Sequence, residues 1–159
     1  MKLHLLRHAK TDQWSVTGRD FDRRLLPKGI AQSNVLGEHL PGMNVQQVWC
    51  SSAVRTRETL SILQHYQSFK DVQYSDGLYL CSREDLLKSL WNHKQAGDVF
   101  IIGHNFGISD LATYLTDEHI ELRTCEYICI EFAGAKSWAE TSGGTGDIRY
   151  RYRPKVLLP

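Results

Sequence analysis

The chain has 159 residues, 42% of them hydrophobic and 23% charged, and its 19 Lys+Arg against 18 Asp+Glu leave a formal net charge of +1. That length suits one compact domain able to bury a core without a disulfide or metal staple, and the composition excludes the disordered class. The balanced charge excludes the basic excess of a dedicated nucleic-acid or membrane-surface binder. Cys50, Cys81, Cys125 and Cys129 contain no CxxC pair, so they read as buried or half-buried thiols rather than a zinc ribbon or a redox motif. The apolar run at Met1–Arg7 is too short for a signal peptide, and no segment approaches the roughly 18 apolar residues that span a bilayer. A cytoplasmic protein that does not enter the membrane is expected.

In chain order, Leu3 to Leu6 predicts a strand that stops at Arg7-His8. A charged loop follows to Leu26, carrying Gly18, Asp20, Asp22, Arg23 and Arg24, and loops this long inside a compact domain tend to be functional. Pro27 can start a helix whose apolar face is marked by Ile30, Leu36 and Leu40, and Pro41-Gly42 ends it. Val45 to Cys50 predicts a second strand, with a helix over Ala53 to Tyr66 after Ser51-Ser52. Val72 to Tyr74 reads as a short strand, and Ser82-Arg83-Glu84-Asp85 as a capping box opening a helix through Trp91. Val99 to Ile102 is the continuous apolar run of a strand buried on both faces, ending at Gly103-His104-Asn105 before a helix over Gly107 to Leu115.

Beyond that helix the pattern changes. Tyr127 to Phe132, Lys136 to Glu140 and Ile148 to Arg153 predict three strands with no helix between them, the last two joined by a turn at Gly143–Gly146. Alternating strands and helices followed by strands alone predict a three-layer α/β domain. Its central sheet is mostly parallel, helices cover both faces, and antiparallel strands close the C-terminal edge. With no repeat or linker, residues 1–159 form a single domain.

Three strand-to-loop junctions carry related residues: Arg7-His8 after the first strand, Arg55 after the second, and His104 after the buried strand. In a parallel α/β sheet the carboxyl ends of strands share one edge, so residues about 50 apart in sequence converge there. Two arginines and two histidines make a cationic, donor-rich pocket that suits a tetrahedral oxyanion, because the guanidinium fork matches phosphate geometry. Helix N-termini beginning after Ser52 and Asn105 add positive dipole ends. No dinucleotide fingerprint, Walker segment or GxSxG elbow accompanies them. The Arg149–Arg153 tail alternates charge and aromatic as an edge strand does, and is read as that rather than as a base-stacking platform.

These residues resemble the histidine phosphatase superfamily. Leu6-Arg7-His8-Ala9-Lys10 is similar to its Arg-His signature, Ser51–Thr59 to its second arginine motif, and Ile101-Ile102-Gly103-His104-Asn105 to its second histidine motif. The Arg-His-Ala-Lys start, Asp20-Phe21-Asp22-Arg23, and Leu78-Tyr79 ahead of Glu84-Asp85-Leu86-Leu87 bring it nearest the SixA-type phosphohistidine phosphatases. The resemblance implies a phosphoglycerate mutase-like fold and His8 as a nucleophile forming a covalent phosphohistidine. Arg7, Arg55 and His104 would hold the phosphoryl oxygens, with no metal or other cofactor. It also implies that Lys10, Asp22 and Arg23 rim the site and orient substrate, and Asn105 is counted with them. Arg57 and Glu58 fall on the helix surface.

One departure bears on substrate. Many superfamily members place an acidic proton donor between the second arginine and the second histidine, where this chain has Tyr79-Leu80-Cys81. An alkoxide leaving group needs that proton badly, whereas a phosphoramidate can depart as imidazole, whose conjugate acid has a reference pKa of about 6.5. Glu84, Asp20 and Asp22 are the carboxylates that loops bring within range. The expected function is hydrolysis of phosphohistidine, on a histidine-phosphorylated signalling protein as partner. Two alternatives stand beside it: a phosphatase of small phosphate esters, and a phosphate-binding module without turnover.

Overall fold

A computed structural model describes residues 1–158. Six strands form one sheet: β1 (Lys2–Arg7), β2 (Val45–Ser51), β3 (Val72–Ser75), β4 (Asp98–Gly103), β5 (Tyr127–Glu131) and β6 (Asp147–Tyr152), in the order β3-β2-β4-β1-β5-β6. The block β3-β2-β4-β1 is parallel, while β5 runs antiparallel to β1 and β6 antiparallel to β5. Four helices connect them: α1 (Pro27–His39), α2 (Val54–Leu63), α3 (Arg83–Asn92) and α4 (Gly107–Thr116). None of the helices in the described residues is long and apolar enough to cross a membrane.

The two-residue strand period divides the core into two layers. Leu3 and Leu5 of β1, Val99 and Ile101 of β4, and Ile128 and Ile130 of β5 point toward α3 and α4, meeting Leu86, Leu90, Leu111 and Leu115. Leu6, Phe100, Ile102 and Cys129 point the other way, onto Leu36, Leu60 and Leu63 of α1 and α2. Each fully buried Leu or Ile contributes about 1.5–3 kcal/mol relative to exposure, which is why the central strands are apolar on both faces. Ser82 caps α3 by accepting from the Asp85 amide, and the Asp85 carboxylate accepts from the Ser82 amide in return, as the capping-box reading anticipates.

Two expectations are corrected. Lys136 to Glu140 is no strand: it ends in a single 3₁₀ turn, Trp138–Glu140. Trp138 is 1% exposed and packs edge-to-face on Phe132, so its indole fills the α3/α4 core layer and pulls the segment off the sheet plane. The sheet therefore passes directly from β5 to β6, across a long connection that carries a turn at Gly143-Gly144. The face of α1 also differs, because Ile30 is 46% exposed. The helix buries Gly29, Gln32, Ser33, Leu36 and Gly37 instead. A Cβ at Gly29 would collide with the Lys10 carbonyl oxygen and one at Gly37 with the Tyr66 ring, so small residues set how closely α1 approaches.

Candidate active site

The C-terminal ends of β1, β2 and β4 lie side by side, and the loops leaving them meet at one edge. Arg7 and His8 leave β1, which lies between β4 and β5, and their backbone is held from both sides. The His8 amide donates to the Gly103 carbonyl (3.2 Å), and the Cys125 amide donates to the carbonyls of Arg7 (3.1 Å) and His8 (3.0 Å). The Ala9 amide donates to Thr59 Oγ1 of α2 (3.1 Å). His8 thus sits on a segment clamped by three elements.

His8 is 7% exposed. Its Nδ1 lies 2.8 Å from the Ala9 carbonyl oxygen, which can only accept, so Nδ1 carries the proton and Nε2 is the bare nitrogen. His104 is buried beside it, the ring centroids 5.3 Å apart. Ser51 Oγ accepts from the Ala53 amide (3.3 Å) and is hydrogen-bonded to His104 Nε2 at 2.8 Å. Nδ1 of His104 is buried and unpartnered among the described residues. Arg7 donates from Nη1 to the Leu122 carbonyl (3.0 Å). Arg55, 1% exposed in the first turn of α2, donates from Nη1 to the Asp20 carbonyl (2.7 Å) and from Nη2 to the Asp20 carboxylate (3.0 Å). Among the described residues the Nε atoms of both arginines are buried without a partner. Buried donors without partners are rare and costly, and where they cluster they mark a site built for a ligand.

The electrostatics follow from this packing. Burial first, then the neighbouring cations, pulls the His8 imidazole down to about 3, against the bond to Ala9. Burial and Arg55 likewise pull His104 down to about 3, with Asp20 opposing. Both rings are neutral at physiological pH. The Asp20 carboxyl shifts the other way from what its desolvation would cause: the Tyr79 hydroxyl, Arg55 and Arg23 hold it down at about 2. Asp20 is therefore a permanent carboxylate, and burial plus that carboxylate keep the Tyr79 hydroxyl protonated by raising it. Tyr79 donates to Asp20 Oδ2, and its ring meets His104 edge-on at 5.5 Å.

The structure brings Arg7, His8, Arg55 and His104 together at one sheet edge. The expected rim residues make the following contacts. Asn105 is a strut: its Nδ2 donates to the Leu122 carbonyl (2.9 Å), the same oxygen that holds Arg7, while Ser109 Oγ donates to its Oδ1 (2.6 Å). Asp22 accepts from Arg19 (2.8 Å) and Thr17 (2.5 Å) within the loop. Arg23 donates to Asp20 Oδ1 (2.8 Å) and to the Asp12 carbonyl (2.9 Å). The Lys10 amide donates to Gln32 Oε1 of α1 (3.0 Å) and its side chain is exposed. Glu58, expected on the surface, accepts from Arg24 Nε (2.7 Å) and the Leu25 amide (2.8 Å), tying the loop after β1 to α2. Sequence reasoning missed Ser51 as the partner of His104 and Leu122 as the anchor of Arg7. Ser51 does lie in the second arginine motif, but no local signal marks Leu122.

A six-stranded sheet with this strand order and with two arginines and two histidines at its C-terminal edge is the phosphoglycerate mutase-like α/β architecture. Residues 3–79 match the family model described as histidine phosphatase superfamily (branch 1). The chain is 28% identical to an uncharacterized chloroplastic protein of Arabidopsis thaliana, over 91% of its own length and 72% of the relative's. It is 31% identical to a Mycobacterium leprae protein over 61% of its length and 60% of that protein's. Among solved structures, a SixA-type protein from Nakamurella multipartitia superposes with a TM-score of 0.80 at 26% identity, covering 98% of this chain and 96% of that one. The tungstate complex of the protein histidine phosphatase SixA superposes with a TM-score of 0.76 at 15% identity, covering 96% and 97%, a likeness of fold. Over its N-terminal half the chain is similar to the histidine phosphatase superfamily, and as a whole it is SixA-like.

Proposed function

We propose that the chain is a phosphohistidine phosphatase that works through a covalent intermediate on His8. The observation carrying this reading is the His8 ring itself, held neutral, with Nδ1 donating to the Ala9 carbonyl and Nε2 bare, in a pocket shared with two buried guanidinium groups. A neutral imidazole nitrogen is a competent nucleophile toward phosphorus, and two displacements in place of one lower the individual barriers. In the first, the Nε2 lone pair forms a bond to phosphorus as the P–N bond to the substrate imidazole breaks, its electron pair leaving with that ring. In the second, water attacks phosphorus, the pair returns to His8 Nε2, and a water proton passes to a phosphoryl oxygen. The Nδ1 proton stays on His8 throughout, so the phosphorylated ring is cationic and ready to depart.

Arg7, Arg55 and His104 supply the stabilisation of negative charge spreading over the phosphoryl oxygens. Positive charge is already in place from the guanidinium groups, which favours catalysis without a metal. Phosphohistidine as substrate is supported by the side chains near the leaving group. Asp20 is ionised and has no proton to give, and burial and Asp20 raise the Tyr79 hydroxyl further above its ordinary value, so neither is a ready acid for an alkoxide. A histidine-phosphorylated signalling protein in the cytoplasm is the expected partner. The SixA-type neighbours support the same reading.

Acid-quench trapping with a labelled phosphoramidate tests it. Base-stable, acid-labile label on the wild-type protein that is lost in His8→Ala is the expected result. Label that persists in His8→Ala, or label that resists acid, would overturn the assignment of the nucleophile.

A further inference from the structure

The pocket holds an acceptor as well as donors, and the acceptor is unusual in an oxyanion site. Asp20 is set on the charged loop after β1, and its carboxylate stands between Arg55 and solvent. The arginine side chain is 2% exposed and the aspartate side chain 45%. Its Oδ2 accepts from Arg55 Nη2 and from the Tyr79 hydroxyl, and its Oδ1 accepts from Arg23 Nε. An ionised carboxylate offers about four lone-pair sites, so three of these are filled and one, on Oδ1, is open. A carboxylate facing outward over an anion-binding arginine is poorly suited to an ordinary phosphate monoester, which it repels.

We propose that Asp20 is a specificity residue that accepts a hydrogen bond from the far ring N–H of the substrate's phosphorylated imidazole. The inference rests on the phosphohistidine reading above. Its chemical logic is the near-symmetry of the reaction, in which an imidazole donates the phosphoryl group and an imidazole receives it. On the receiving side, the Ala9 carbonyl keeps the proton on Nδ1 of His8, so that the ring can carry phosphorus and later depart neutral. The departing ring has the same need. If its far nitrogen is protonated, the P–N bond breaks to give neutral imidazole; if it is bare, the electron pair leaves as an imidazolate anion, a far poorer leaving group. An anionic acceptor favours the protonated ring by stabilising its positive charge.

This arrangement also accounts for an acidic donor being dispensable. The proton that helps the substrate leave is one the substrate already carries, and Asp20 holds it in place rather than supplying it. Because the carboxyl stays ionised down to about pH 2, the acceptor is present at any pH where the protein is folded.

The test compares Asp20→Asn and Asp20→Glu with wild type on two probes, free N-phosphohistidine and 4-nitrophenyl phosphate. The nitrophenolate leaves without a proton and offers no N–H. Asp20→Asn is expected to lower kcat/KM for phosphohistidine at least tenfold more than for the ester. It should also move the alkaline limb of the phosphohistidine profile about one pH unit toward acid, because the substrate imidazolium is no longer stabilised. Asp20→Glu is expected to recover part of the selectivity. An equal fall on both probes would mean that Asp20 only positions Arg55, and an unchanged ratio, or a rise on both, would also overturn the proposal. If wild type shows no preference for phosphohistidine, the substrate reading fails and takes this inference with it. A wild-type preference that survives intact in Asp20→Asn removes the Asp20 role alone.

Discussion

The imidazole rings of His8 and His104 lie 5.3 Å apart with planes tilted by 54°, and the hydrogen-bond partners of both are uncharged: the Ala9 carbonyl and the Ser51 hydroxyl. Burial first, and then the flanking arginines, drive both histidines neutral. Their ring protons should show no titration between pH 8 and 5 in an NMR experiment on the phosphate-free protein. Adding phosphate or tungstate should raise both, because the anion offsets the cationic field. A midpoint near the ordinary 6.5 for either ring in the free protein would contradict the buried, cation-flanked geometry.

Stability should weaken on mild acidification. His4, His8 and His104 are all depressed by burial, to about 4, 3 and 3. Below pH 6.5 the unfolded chain binds protons at these positions that the folded chain refuses, so unfolding free energy falls as pH drops from about 6.5 toward 3–4. Each histidine contributes a slope of up to about 1.4 kcal/mol per pH unit in that window. His4→Phe should reduce the slope by one proton, read from urea unfolding at several pH values. A pH-independent midpoint from 7 to 5 would show that the burial does not hold in solution.

His104→Ala removes one of the side chains proposed to hold the phosphoryl group while leaving His8 and its Ala9 bond in place. Loss of one such group typically costs about 10²–10³ in kcat. A steady-state assay should show a fall in that range, with phosphoenzyme still detectable at long times. Activity within threefold of wild type would remove His104 from the phosphoryl-binding set.

Ser109 reaches the site only through others. Its hydroxyl donates to Asn105 Oδ1 and accepts from the Leu122 amide (2.9 Å), and the Leu122 carbonyl in turn holds Arg7. Ser109→Ala should cost about 1–3 kcal/mol by leaving buried partners unpaired. It should also weaken phosphate binding severalfold by loosening Arg7, as calorimetry can measure. A stability loss with unaltered phosphate affinity would confine the strut to folding.

Gly29 and Lys10 approach backbone to backbone, and the Lys10 carbonyl also accepts from the Leu26 amide at 3.0 Å. Gly29→Ala forces the Cβ into that oxygen, an overpacking cost of about 1–3 kcal/mol. Because Lys10 begins the loop that carries Asp20, the variant should lose activity beyond what its melting shift explains. Wild-type stability and activity together would mean that α1 shifts freely, which the packing of Leu36 argues against.

Sequence alone determined much of the frame. Val99 to Ile102 is apolar at every position because β4 is buried on both faces, and Ser82 with Asp85 announces the start of α3. The convergence of Arg7, His8, Arg55 and His104 was also legible, since parallel strands of a doubly covered sheet end on one edge whatever separates them in sequence. The Lys136 to Glu140 segment stands among strands and carries no local helix signal, yet its one large apolar side chain, Trp138, is drawn into the core layer beneath α3 and α4. Only the tertiary structure decided that Asp20 holds Arg55 across 35 positions, that Asn105 braces Leu122, and that Glu58 secures the loop. Such pairings depend on how loops pack after the core has formed. Periodicity records which face of an element is buried, but not which polar side chain another loop will lay beside it.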